Sequence, residues 1–214
     1  MSSNISIYNE DSLQALRAMR DKQFDLAIVD PPYGIGAGGN NFKNGTSKNK
    51  TIGYKDNDWD LHIPHAAYWD ELFRVSKNQI VWGGNYMTAF LPPKSCWLFW
   101  DKGTGDNSYA DGELAWTSFD GAMRKITKTW VGANAKDETE RIHPTQKPIY
   151  LYKWILDRFA KEGFKVLDTH LGGGSIAIAC WDMGFDLTAY EIDKEYFDAA
   201  CKRLENHKKQ LTLW

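Results

Sequence analysis

Paired cysteines are absent from this chain. Its three cysteines, Cys96, Cys180 and Cys201, lie far apart and none forms C-x-x-C. That spacing supports neither a metal site nor a disulfide framework, and reads as buried thiols in a reducing compartment. Long apolar runs are also absent. None approaches the roughly 18 residues of a membrane span, and the amino terminus lacks the basic-then-apolar pattern of a secretion signal. The expectation is a soluble, cytoplasmic protein with no membrane partner. Nor is there an excess of positive charge. The 26 basic and 28 acidic side chains leave a formal net charge of −2. This excludes a protein coated in lysine and arginine for indiscriminate nucleic-acid binding, but not a local basic face. No internal repeat or low-complexity tract occurs.

What is present suits one domain, 1–214, with insertions. The 214 residues are 43 % hydrophobic, enough for a sizeable core, and 14 % aromatic. Most of those rings serve packing, although such a supply also suits base stacking. Strands are expected at 5–8, 26–29, 79–82, 95–100, 114–119, 164–168 and 187–191. Helices are expected after Asp11 or Ser12, over 65–75, over 87–91, over 149–161, over 176–183 and over 194–208. Strands alternating with helices predict an α/β fold with a mainly parallel sheet.

Between these elements lie two weakly patterned stretches. One, about 34–60, holds Lys43, Lys48 and Lys50 among glycines and asparagines. A loop of this length is either functional or a disordered surface insertion. The other lies within about 103–141, where Arg124, Lys125 and Lys128 surround Trp130 with no acid from 121 to 136. A basic run with an aromatic could track phosphates, or could be a solvated hairpin.

The stretch with the most chemistry is Asp30-Pro31-Pro32-Tyr33-Gly34, at the end of the apolar run Leu26–Val29. Two prolines can neither continue a ladder nor enter a helix interior, so they set a stiff turn. The turn presents a carboxylate, the Pro31 carbonyl and an aromatic ring. Together these could hold a flat ring bearing an exocyclic amine, with Tyr33 stacked on its face. An aspartate-capped turn with two loop prolines is the plainer alternative.

A second constellation is the strand Val166-Leu167-Asp168, then Leu171, Gly172, Gly173, Gly174 and Ser175, then a helix. Glycines admit a ligand to the backbone, and the helix start offers N–H groups. The next strand ends in Glu191, placed to grip ribose hydroxyls. This turn is not G-x-G-x-x-G, which favours an adenosine binder over a pyrophosphate binder. An ordinary glycine-rich loop with a surface glutamate is the alternative.

Both constellations, with His143-Pro144-Thr145-Gln146-Lys147-Pro148 between them, resemble the DNA amino-methyltransferases. The catalytic half precedes the cofactor half, the order of the permuted beta class, and small phage and prophage-type members are most similar. The resemblance implies a Rossmann-like methyltransferase fold, S-adenosylmethionine as cofactor and double-stranded DNA as partner, and is compatible with a homodimer. It implies catalytic roles for Asp30, Pro31, Pro32 and Tyr33. It implies cofactor roles for Asp11, Thr145, Lys147, Asp168, Leu171, Gly172, Gly173, Gly174, Ser175, Glu191 and Ile192. DNA contacts fall to Lys43, Lys48, Lys50, Arg124, Lys125 and Lys128; no metal is implied. Family members usually carry Pro-Phe or Ala-Phe after the aspartate, where this chain has Thr169-His170-Leu171. His170 is read as packing the loop rather than as a base.

The implied activity is transfer of methyl to N6 of a flipped-out adenine. N4 of cytosine, an amide nitrogen, or adenosine binding without catalysis are the alternatives. The two acid-ended strands, 26–29 and 164–168, are expected side by side at the centre of the sheet. Outward from them, 187–191 and 5–8 are expected on one side, and 79–83 then 95–100 on the other. The reversal between them is where α/β sheets bind ligands.

Overall fold

The protein is described by a computed structural model that covers residues 3–36, 60–103, 110–128 and 141–211. Lys43, Lys48 and Lys50 lie outside the described residues. The described residues contain eight strands in one sheet. They are β1 (Ile5–Tyr8), β2 (Phe24–Val29), β3 (Ser76–Trp82), β4 (Trp97–Asp101), β5 (Gly112–Thr117), β6 (Arg124–Thr127), β7 (Lys165–Asp168) and β8 (Asp186–Tyr190). Five helices accompany them: α1 (Ser12–Arg17), α2 (Ala66–Val75), α3 (Ile149–Phe159), α4 (Ser175–Met183) and α5 (Lys194–Leu211). Among the described residues, no helix is long and apolar enough to cross a membrane.

The strand order is β1-β8-β7-β2-β3-β5-β4-β6. β2 and β7 are the central neighbours, with Leu26 opposite Val166 and Ala27 opposite Leu167. Their apolar sequences fit that place, since a central parallel strand is covered on both faces. In β2, Leu26 and Ile28 join one buried cluster with α3 and α4, while Ala27 and Val29 join another with α1 and α2. The result is an α/β/α sandwich, with helices on both faces of a mostly parallel sheet.

The order on the far side of β3 differs from expectation. The strand at 97–101 does not neighbour β3; β5 lies between them, antiparallel to both. Burial explains the exchange. Ala115, Trp116 and Thr117 are all buried, as an inner strand requires, whereas β4 alternates buried and half-buried residues. β6 then adds to β4 in parallel as the outermost strand.

The helix expected over 87–91 is also not formed. A short 3-10 turn at Gly84–Tyr86 is followed by one turn at 88–90. Pro92 and Pro93 stop propagation, and so few residues cannot offset the cost of nucleating a helix.

The insertion of β5 matters for the site. β2, β3, β4, β6, β7 and β8 share one direction, so their carboxyl ends meet at one edge. β5 runs the other way, so its first residues, Gly112 and Glu113, arrive at that same edge.

Candidate active site

At the carboxyl edge, the Asp30 turn is held from below by Asp60. The Asp60 carboxylate accepts from the backbone N–H groups of Tyr33, at 2.6 Å, and Gly34, at 3.1 Å. Pro31 is buried and has no N–H to satisfy. Tyr33 is not presented as a bare ring. Its hydroxyl donates to Asp30 Oδ1 at 2.7 Å, and its ring stacks on the half-exposed Tyr86, with centroids 5.2 Å apart.

Gly83 makes that stack possible. Its φ is +66°, and a β-carbon there would fall 2.2 Å from the Tyr33 ring. Gly83→Ala should therefore destabilise the protein by about 2–4 kcal/mol, from left-handed backbone strain and overpacking. It should also displace Tyr33 from Asp30. Denaturant melts check the first effect; an alanine variant as stable as wild type would refute the packing argument.

Asp30 belongs to a charge chain built around the buried Lys147. Its Oδ2 accepts from Lys147 Nζ at 2.5 Å. That ammonium also donates to the Tyr33 hydroxyl at 3.0 Å and pairs with Glu113 Oε2 at 3.2 Å. Glu113 Oε1 is in turn 2.6 Å from Lys102 Nζ. The lysine was expected on the cofactor side. It borders the same cleft, but its charge is committed to Asp30 and Glu113 because its side chain is only 2 % exposed and needs carboxylate partners.

Burial raises the Asp30 carboxyl above its ordinary value, against the pull of Lys147. Burial works to raise Glu113 too, yet Lys147 and Lys102 together bring it down to about 2. Burial works to lower Lys147, but Asp30 and Glu113 override it and hold the lysine charged.

The second half of the site is the turn after β7. Asp168 is buried and accepts from the His170 backbone N–H at 2.9 Å. Burial pushes its carboxyl up to about 8, with Asp30 and Glu191 adding to the rise. Beyond it, Glu191 accepts from the N–H groups of Gly172, at 2.8 Å, and Asp193, at 2.9 Å. Arg203 donates to the Gly173 carbonyl and the Ser175 hydroxyl, tying α5 to the turn. Gly173 packs against Gln146, whose Oε1 would lie 2.3 Å from an added β-carbon.

Between the halves is a cleft of about 600 Å³. Asp30, Pro32, Thr145, Lys147, Leu171, Gly172, Gly173, Ser175, Glu191 and Ile192 line it. So do His143, Gln146, Tyr152, His170, Asp193 and Tyr196. Burial holds the rings of His143 and His170 neutral, each near a pKa of about 4.

Three residues expected on the cofactor do not line the cleft. The Asp11 carboxylate accepts from Leu13 N–H at 2.8 Å and caps α1. Gly174 adopts φ +72° ahead of α4 and packs on Ala200. Asp168 is buried, with its carboxylate taken by the His170 N–H. Glu113, Tyr86 and Tyr152 were missed by sequence reasoning. The only available signal was the acid at the head of a strand, which is common on exposed edges.

The lining suits an adenosine-bearing cofactor. Gly172 and Gly173 bring bare backbone to the cleft. Glu191, already holding two N–H groups, retains acceptor capacity for hydroxyl groups. The 70 % exposed Ile192 offers apolar surface beside it.

The basic residues are less bare than expected. Lys125 pairs with Asp101 at 2.7 Å, and the Lys128 ammonium sits 4.1 Å from the Tyr150 ring centroid. Arg124 is exposed on β6, at the sheet's outer edge.

Comparison with known proteins follows the same lines. Residues 105–202 match the family described as DNA methylase. The Type II methyltransferase M2.DpnII from Streptococcus pneumoniae is 24 % identical, over 93 % of this chain and 89 % of that one. The crystal structure of the M1.HpyAVI–SAM complex shares the fold, with a TM-score of 0.60, 19 % identity, and 94 % and 98 % of the two chains covered. The cytosine-N4-specific PvuII DNA methyltransferase does so with a TM-score of 0.59, 13 % identity, and 98 % and 92 % covered.

Proposed function

We propose that this chain, which belongs with the S-adenosylmethionine-dependent DNA amino-methyltransferases, methylates N6 of adenine in double-stranded DNA. One observation carries the reading: a partly buried carboxylate, Asp30, opens onto the cleft that Glu191 and the Gly172–Gly173 turn also line. Bound in that cleft, S-adenosylmethionine supplies an electrophilic methyl group on sulfur. Glu191 would accept from its ribose hydroxyls, and the glycine turn would let it approach the backbone.

The acceptor amine is a weak nucleophile, because its lone pair is delocalised into the ring. Asp30 and the Pro31 carbonyl would accept its two hydrogens and draw the nitrogen toward a tetrahedral, electron-rich form. The nitrogen lone pair then forms the new N–C bond as the C–S bond breaks toward sulfur. The surplus proton leaves nitrogen toward Asp30 and solvent. Positioning and charge stabilisation supply the rate.

The target base lies inside a duplex and has to be turned out of the stack. Tyr86, stacked on Tyr33 and half-exposed, extends an aromatic surface beside Asp30 for it. Lys43, Lys48, Lys50, Arg124, Lys125 and Lys128 are proposed to meet phosphates, from insertions within one methyltransferase domain.

The fold is shared with a cytosine-N4-specific enzyme, so it does not select the base. The acid at position 30 supports adenine, since adenine enzymes mostly resemble Asp-Pro-Pro-Tyr and N4-cytosine enzymes Ser-Pro-Pro-Tyr. The test is to methylate DNA with labelled cofactor, digest it to nucleosides and weigh them. N6-methyladenine is expected. N4-methylcytosine alone would overturn the base, and label in protein but not in DNA would overturn the substrate.

A further inference from the structure

We propose that Glu113 is a second berth for the Lys147 ammonium, and that the lysine passes from Asp30 to Glu113 when the acceptor amine engages Asp30. This rests on the reading of Asp30 as the residue that holds the amine.

The geometry is that of one cation between two anions. Lys147 Nζ is 2.5 Å from Asp30 Oδ2 and 3.2 Å from Glu113 Oε2, with the Tyr33 hydroxyl at 3.0 Å. A shift of under an ångström would exchange the closer partner. Glu113 is held in place through its other oxygen, which pairs with Lys102 at 2.6 Å. The ammonium would therefore be the moving part. The Trp82 and Tyr33 rings, with centroids 5.3 and 5.5 Å away, flank it and favour a cation near both berths. With its side chain 2 % exposed, the lysine has no solvent to retreat into.

Charge makes the movement useful. A carboxylate neutralised by an ammonium is a weak acceptor for an amine N–H. Positive charge then grows on the attacking nitrogen, and a second cation on Asp30 would repel it in a poorly screened site. Moving Lys147 to Glu113 restores the Asp30 charge where it is needed. The other titratable groups facing this cluster are Tyr152 and Asp168 toward Asp30, and His143 toward Lys147. All three are neutral near pH 7, so none replaces Glu113.

The experiment compares Glu113→Gln and Glu113→Asp with wild type, in three measurements. They are kcat on DNA, cofactor affinity by calorimetry, and the Asp30 side-chain carboxyl titration by carbon NMR. Glu113→Gln should lower kcat about ten- to a hundredfold, the scale of lost positioning, with cofactor affinity unchanged. Glu113→Asp should recover much of the loss. The Asp30 titration should move to lower pH in Glu113→Gln, because the lysine then pairs with Asp30 alone. Lys102→Met should move it the opposite way, by giving Glu113 a stronger hold on Lys147, and serves if Glu113→Gln does not fold. An unchanged kcat, a kcat loss matched by lost cofactor affinity, or an unmoved Asp30 titration would overturn the proposal. A wild-type protein inactive on DNA would overturn the functional reading instead, while the titrations still test the two berths.

Discussion

Asp30→Ala should lower methyl transfer by about 10³-fold or more, the scale on which removing one preorganised electrostatic group acts, while leaving cofactor binding largely intact. Asp30 lines the cleft from the turn after β2, whereas Glu191 and the glycine turn line it from the β7 and β8 half. The fold should survive. Removing one member of a buried ion pair ordinarily costs about 3–5 kcal/mol, but Lys147 keeps Glu113 as a partner at 3.2 Å. Label transfer to DNA, calorimetry with the cofactor and a thermal melt separate these effects. Full activity would remove Asp30 from the mechanism. Loss of activity in step with loss of cofactor affinity would show that it serves the cofactor instead.

Asp168→Asn should stabilise the protein in alkaline solution and do little in acid. Burial holds this carboxyl at about 8 in the folded protein, against an ordinary 3.8. A group whose pKa is raised on folding contributes fully below its unfolded value. That contribution is lost as pH rises toward the folded value, because the unfolded chain releases the proton and the folded chain must keep it. Between about pH 4 and pH 8 the wild type should lose stability on the order of 3–5 kcal/mol from this residue alone. Asparagine carries no charge to bury, and its carbonyl can still accept from the His170 N–H. The melting temperature of the variant should thus exceed that of wild type near pH 8–9 and approach it near pH 4. A gap that does not change with pH would show that Asp168 ionises at ordinary pH in the fold.

These expectations join two kinds of information. The central strands and their turns were legible because their signals are local. Leu26–Val29 is an apolar run closed by two prolines, and Val166–Asp168 is a short strand closed by glycines; each states its own structure within about ten residues. The neighbours β2 and β7, with β8 and β1 outward of them, were expected from placing both acid-ended strands at the switch point of an α/β sheet, and the strand order bears that out.

The failures were non-local. Nothing in Glu113, at the start of a strand, indicates that β5 would insert between β3 and β4. The choice depends on how deeply Ala115, Trp116 and Thr117 can be buried relative to β4. Lys147 shows the same limit. It lies in a segment read as belonging to the cofactor, yet its ammonium pairs with a carboxylate 117 positions earlier.

By itself the sequence determined the α/β class, most of its elements and the two acid-bearing turns, though not β6 or the missing helix at 87–91, because apolar periodicity and turn residues act over short stretches of chain. Only the tertiary structure decided that Asp30 and Glu113 meet on the buried Lys147, and that Tyr33 is held between Asp30 and Tyr86. Strand order and burial set those meetings, and charges removed from water take whichever partner the packing brings within reach.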